Sequence, residues 1–134
     1  MKSDIEFPTV RNVAVCATPR DEQLKPKTWE VHVVNLNPHT LQHVLVSSHG
    51  YGIQNNAEVE TSRLRFYFEQ MPPKSHLHVE LIPENLVGLS NEYWVSFYLG
   101  GKLFDKKYIF LPDSLIAENL ISIPLINRPG VMIL

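Results

Sequence analysis

Apolar and polar residues alternate in short runs along much of this chain. Val13 and Val15 alternate with Ala14 and Cys16, and Trp29, Val31 and Val33 with Glu30 and His32. Val44 and Val46 follow a loop containing Asn37 and Pro38. Leu64, Phe66 and Phe68 interleave with Arg63, Arg65 and Tyr67, and Leu77, Val79 and Leu81 with His76, His78 and Glu80. Successive side chains of a strand point to opposite faces, so each run predicts one inward and one outward row. β-Branched and aromatic residues, which suit a pleated surface, dominate the runs. Most of the ten prolines, including Pro19, Pro26, Pro38, Pro72, Pro73, Pro83 and Pro112, fall between them. Each removes a backbone donor and fixes φ, which suits a connection.

The most explicit local unit is 91–112. Two apolar stretches flank Gly100-Gly101, a pair that accepts the positive φ angles of a two-residue hairpin turn. That register pairs Phe97 with Phe104, Tyr93 with Tyr108 and Ser96 with Asp105. It also sets Lys106 opposite Val95 on an otherwise apolar face, which requires a bulge or an edge position. A second hairpin around Met71-Pro72-Pro73-Lys74 would set Tyr67 beside His78 and Arg65 beside Glu80. Only 113–120 reads as helical, with Asp113 as cap and Leu115, Ile116 and Leu120 on one side. The expected fold is all-β: a single-domain antiparallel β-sandwich of about seven strands over residues 1–134, with one short helix near 113–120.

The order of elements resembles immunoglobulin-like and fibronectin-III-like sandwiches. More narrowly, Thr28-Trp29-Glu30-Val31-His32-Val33-Val34-Asn35, the Gly50-Tyr51-Gly52 turn and the hairpin arm Phe104–Leu111 resemble the bacterial ApaG family. That family's GxGxxG segment is absent, because Ile53-Gln54-Asn55-Asn56 follows Gly52. The phosphate binding the family would imply is therefore unsupported. The chain also resembles short bacterial proteins labelled as a phenylalanyl-tRNA synthetase α subunit, but it carries no class II motif for that activity.

The 134 residues, 44% hydrophobic and 19% charged, fit one core and exclude a disordered chain. Apolar runs such as Tyr93–Leu99 are too short to span a bilayer, so no membrane partner is expected. Acidic residues occupy the start, Met1–Glu6, where a signal peptide needs a basic one, and Cys16 has no disulfide partner. Both point to the cytoplasm. A net charge of -2 offers no field for a duplex phosphate backbone.

Candidate chemistry is sparse. His76 and His78 lie two apart on one strand face, and His32 projects from another, a possible zinc set whose plainer reading is a solvated polar face. Cys16 sits in an apolar strand, as a buried inert thiol does. Ser47-Ser48-His49-Gly50 lacks the context of a nucleophile elbow and reads as turn structure, and Glu58 and Glu60 read as a polar loop. No phosphate loop or dinucleotide fingerprint occurs, and neither an enzyme nor a cofactor is expected. Arg63, Arg65 and Tyr67 form a basic-aromatic stripe of the kind that stacks single-stranded nucleic acid, with His76 and His78 as an extension. Glu80 and the net acidity oppose that use.

Surfaces say more. With Tyr93, Val95 and Phe97 inward, Trp94 and Tyr98 face out, and such side chains anchor protein interfaces. The segment from Leu120 to Leu134 is too apolar for a free tail. Docked on its own sheet it is the last core segment, the favoured arrangement, since Pro124 and Pro129 interrupt a long added strand. Docked on another subunit it would carry a dimer through Ile126, Val131 and Ile133. The expected function is a non-catalytic protein-interaction domain, self-associating or bound to a protein partner through these aromatic and apolar residues. The alternative is a small-ligand or metal-binding sandwich using His32, His76 and His78.

Overall fold

The computed structural model describes residues 8–20 and 27–134. The start Met1–Glu6 and the expected connection at Pro26 lie outside them. Among the described residues ten strands form: β1 (Val13–Pro19), β2 (Thr28–Asn35), β3 (Leu41–Gln54), β4 (Ala57–Glu60), β5 (Leu64–Met71), β6 (Ser75–Pro83), β7 (Ser90–Leu99), β8 (Lys102–Phe110), β9 (Ile121–Ser122) and β10 (Pro129–Ile133). They build two antiparallel sheets. Sheet A has the order β6-β2-β1-β10-β9; in sheet B the order is β4-β3-β7-β8, with β5 also pairing with β3.

The main core fills the space between the sheets. Val13, Val15, Trp29, Val31 and Val33 of sheet A meet Val44, Val46, Tyr93, Val95, Phe97, Tyr108 and Phe110 of sheet B. Strand β1 is buried on both faces, because a second, smaller cluster covers the outside of sheet A. There Ala14, Cys16 and Val34 pack against Ile123, with Leu36, Ile126 and Met132 at the margin. A strand enclosed on both faces is apolar throughout, which explains Val13-Ala14-Val15-Cys16-Ala17.

The β7–β8 hairpin has the expected register, with Phe97 opposite Phe104, Ser96 opposite Asp105 and Tyr93 opposite Tyr108. Gly100 and Gly101 take φ of 59° and 77°, as the turn requires. Val95 opposes Lys106, and the edge position of β8 resolves the conflict. Lys106 sets its Nζ 5.1 Å from the centre of the Tyr108 ring. A charge turned toward the core from an edge strand also discourages further strand addition.

Four expectations change. The 113–120 helix reduces to one 3-10 turn at Ala117–Asn119. Asp113 has φ of 60° and its N–H donates to the Val87 carbonyl, so it closes a loop and caps nothing. The hairpin around Pro72-Pro73 does not form: β5 belongs to sheet B and β6 to sheet A, and the chain crosses between layers there. Neither proline can donate to a ladder, and the Asn35 amide holds the crossing by donating to the Pro72 carbonyl at 2.9 Å. Strand β3 runs through Ser47–Gly52, which are strand residues and no turn, and Glu58 and Glu60 lie on β4. The alternation on β6 breaks at Val79, where the register with β2 shifts.

Candidate functional site

The outer face of sheet B gathers residues from four strands. One cross-strand row runs Arg65, Ser47, Trp94, Lys107, and the next runs Tyr67, Leu45, Ser96, Asp105. Tyr98 and Leu103 pair in a further row. Tyr67 is 57% exposed, Trp94 44% and Tyr98 42%, with Leu45 and Leu103 also exposed. The basic-aromatic stripe and the outward aromatics are thus one surface, an arrangement that needs β3 between β5 and β7. Arg65 and Tyr67 belong to it, whereas Arg63 lies in the linker before β5. His76 and His78 do not extend the stripe, because they stand on the other sheet.

The surface is held in place. The Trp94 indole N–H donates to Asp105, Lys107 Nζ sits 4.7 Å from its ring centre, and Lys107 pairs with Glu92 at 4.0 Å. A bulge between Gln42 and Leu45 puts His43 at φ 50° and turns its ring onto the patch. His43 Nδ1 hydrogen-bonds the Tyr67 hydroxyl at 2.6 Å, and its ring lies 6.1 Å from those of both Tyr67 and Tyr98. Anchors fixed in this way lose little rotamer entropy on binding.

The three histidines of the metal hypothesis do meet. His32 opposes His78 across the β2–β6 ladder, and its ring centre lies 5.3 Å from His76 and 5.4 Å from His78. The rings pack edge to face. Among the described residues no three His, Cys, Asp or Glu side chains form a group able to hold a metal ion. His32 is only 6% exposed, and neither ring nitrogen has a hydrogen-bond partner among the described residues. Glu30 Oε1 stands 3.5 Å from Nε2 without hydrogen-bond geometry. Burial lowers the His32 pKa, Glu30 opposes that shift, and the neighbouring His76 and His78 add to it.

The carboxy-terminal segment lies on its own sheet. Val131 pairs with Ala17 and is buried in the main core, Ile133 pairs with Val15, and Ile126 borders the outer cluster. Arg128 fastens it by donating to Thr18 Oγ1 at 2.6 Å and to Glu30 Oε1 at 2.8 Å. Ile126, Val131 and Ile133, expected at an interface, pack within the chain, Val131 buried and the two isoleucines partly so.

A further site comes from a register break. Val31 opposes Glu80 while the next residue, His32, opposes His78, so Val79 is the extra residue of a bulge. Past it the phase of β6 inverts: Glu80 turns in between the sheets and Leu81 turns out. Strict alternation gives the reverse, and both assignments are corrected here. Glu80 Oε2 accepts the Tyr93 hydroxyl at 2.6 Å, and Oε1 accepts that of Ser48 at 3.2 Å. Burial, and then the Glu80 carboxylate, push the Tyr93 phenol far above its ordinary pKa, so it stays a donor. These groups line a cleft of about 200 Å³ that also touches Gly50, Leu64, Leu86 and Asn91.

Ser48 serves Glu80 and has no base poised on it, and His49 lies 3.7 Å from Glu60. Burial pushes the Cys16 thiol up to about 12, which leaves it an unreactive core group. Among the described residues no helix is long and apolar enough to cross a membrane. No family model, curated protein or solved structure matches the chain.

Proposed function

We propose that this chain is a non-catalytic cytoplasmic interaction domain whose outer sheet-B face binds a second copy of itself. The observation that carries this reading is the side-by-side placement of Leu45, Tyr67, Trp94, Tyr98 and Leu103, all exposed on one face. Large aromatic side chains with their polar atoms already bonded are the usual anchors of protein contacts. A contact between identical copies must be self-complementary. The face carries both signs, with Arg65 and Glu69 on β5 and Asp105 and Lys107 on β8, and a two-fold axis can bring opposite charges together. The carboxy-terminal segment has no part in the contact, being closed on its own sheet.

Sedimentation velocity over a concentration series tests the idea. The wild-type chain is expected to shift from monomer to dimer as concentration rises. Trp94→Ala or Tyr98→Ala should weaken association by about 2 kcal/mol, roughly thirty-fold in Kd, with the fold intact. Unchanged association in both variants refutes the assignment to this face.

A further inference from the structure

The cleft between the sheets is separate from the outer face and has its own chemistry. It opens at one side of the sandwich, where β6 is the edge of sheet A. On sheet B, residues 61–63 interrupt the outer strand between β4 and β5. Gly50 lies in that gap, bonded only to Thr61 there, with its N–H donating to Oγ1 at 2.7 Å. A side chain at Gly50 would begin 3.0 Å from Thr61 Cγ2 and 3.4 Å from Asn91 Oδ1, so glycine keeps this part of the cleft open.

Ser48 and Tyr93 in the lining spend their hydroxyl donors on Glu80. Glu80 enters from sheet A through the Val79 bulge. A carboxylate between two sheets costs free energy unless its oxygens are matched. Ser48 and Tyr93 supply one donor to each oxygen. Among the described residues no Lys, Arg or His is ion-paired with it. Asn91 is the second acceptor. It is 6% exposed, and its Nδ2 donates to the carbonyls of Leu86 and Leu89 at 3.0 and 3.2 Å. That fixes the amide with Oδ1 toward Gly50, without a donor of its own among the described residues. Leu64 and Leu86 supply apolar wall.

A negative charge, a fixed free acceptor and apolar walls in a small space define a ligand of opposite character. We propose that the cleft binds a small alkylammonium ion, its N–H groups donating to Glu80 and Asn91 Oδ1 and its alkyl stem lying on Leu64 and Leu86. An ammonium has three donors and no acceptor, which matches this lining. At about 200 Å³ the space is below the usual range for drug-sized ligands, so a short stem fits and a large ring system does not.

The test is an NMR titration of the full chain with n-butylammonium chloride, with sodium butyrate and n-butanol as controls. Saturable shifts of the Gly50 amide and the Asn91 side-chain amide are expected with n-butylammonium and not with butyrate. Glu80→Gln should weaken binding about tenfold, the scale of losing a charged hydrogen-bond partner. Should that variant fail to fold, Leu64→Lys decides. Leu64 is exposed at the mouth, so the change spares the core and sets a competing ammonium beside Glu80. Loss of binding in Leu64→Lys supports the proposal. It is overturned if butyrate or butanol moves the same signals equally, if n-butylammonium gives no saturable shift, or if the folded variants bind as wild type does.

Discussion

His32 is the side chain whose surroundings suit it least. It is buried, and among the described residues both ring nitrogens lack partners and the groups facing it are Glu30, His76, His78 and, through Glu30, Arg128. Its folded pKa lies below that of the unfolded chain, about 6.5. Between those values the unfolded state binds more protons, so stability rises with pH. His32 thus imposes no penalty above about pH 6.5 and an increasing one below it, with a slope of at most about 1.4 kcal/mol per pH unit. Urea denaturation at pH 7.5 and pH 5 should show this loss, and His32→Leu should reduce it. An identical pH profile in the variant would assign the loss to other groups. The clustering of His32 with His76 and His78 was legible from their alternation. The burial of His32 was not, because its surroundings come from distant parts of the chain, His76 and His78 on β6 and, through Glu30, Arg128. Glu80 was hidden for another reason. A bulge is an offset between two strands, and it leaves no mark in the spacing of either one alone.

At the scale of elements, the readable parts were those whose chemistry is local. Gly100-Gly101 specifies its turn and with it the pairing from Asn91 to Phe110. The strands β1 and β2 follow from alternation and β-branched content. What failed was whatever depends on a partner. The Pro72-Pro73 segment has the same residues whether the chain turns back within a sheet or crosses to the next. The segment 113–120 has a helical pattern, but Asp113 is bonded into a loop with Val87 instead. The carboxy-terminal element depends on Gly130. A Cβ there would lie 2.8 Å from both the Ala17 carbonyl oxygen and Ile123 Cγ1, and 2.9 Å from Thr18 Cγ2. Gly130→Ala should push β10 away from β1 and cost about 1–3 kcal/mol, the usual range for overpacking. Chemical denaturation measures this directly, and an unchanged midpoint would mean that the strand shifts without penalty.

For the whole molecule, the two-layer β architecture was legible because strand patterns spaced by turn signals have few other ways to bury an apolar face. Which strands share a layer was not, and both candidate sites depend on it. The aromatic patch exists because β3 joins β5 to β7, and the cleft because β6 and β3 lie in opposite sheets. Self-association predicts a thermodynamic signature for the intact chain. A partner that binds only the folded state stabilises it by mass action, so the melting temperature should rise with protein concentration. The rise should be absent in Trp94→Ala. A wild-type melting temperature that does not depend on concentration would count against the dimer. The pairing of β1 with β10 has a different consequence, for synthesis on the ribosome. The second ladder of β1 is closed by Val131–Ile133, which follow every other described strand in the chain. Until they emerge from the exit tunnel, the central strand of sheet A keeps one edge open. Sheet A is therefore completed only once β10 is available, and a nascent chain stalled before residue 129 exposes an unpaired, apolar strand edge suited to chaperone capture.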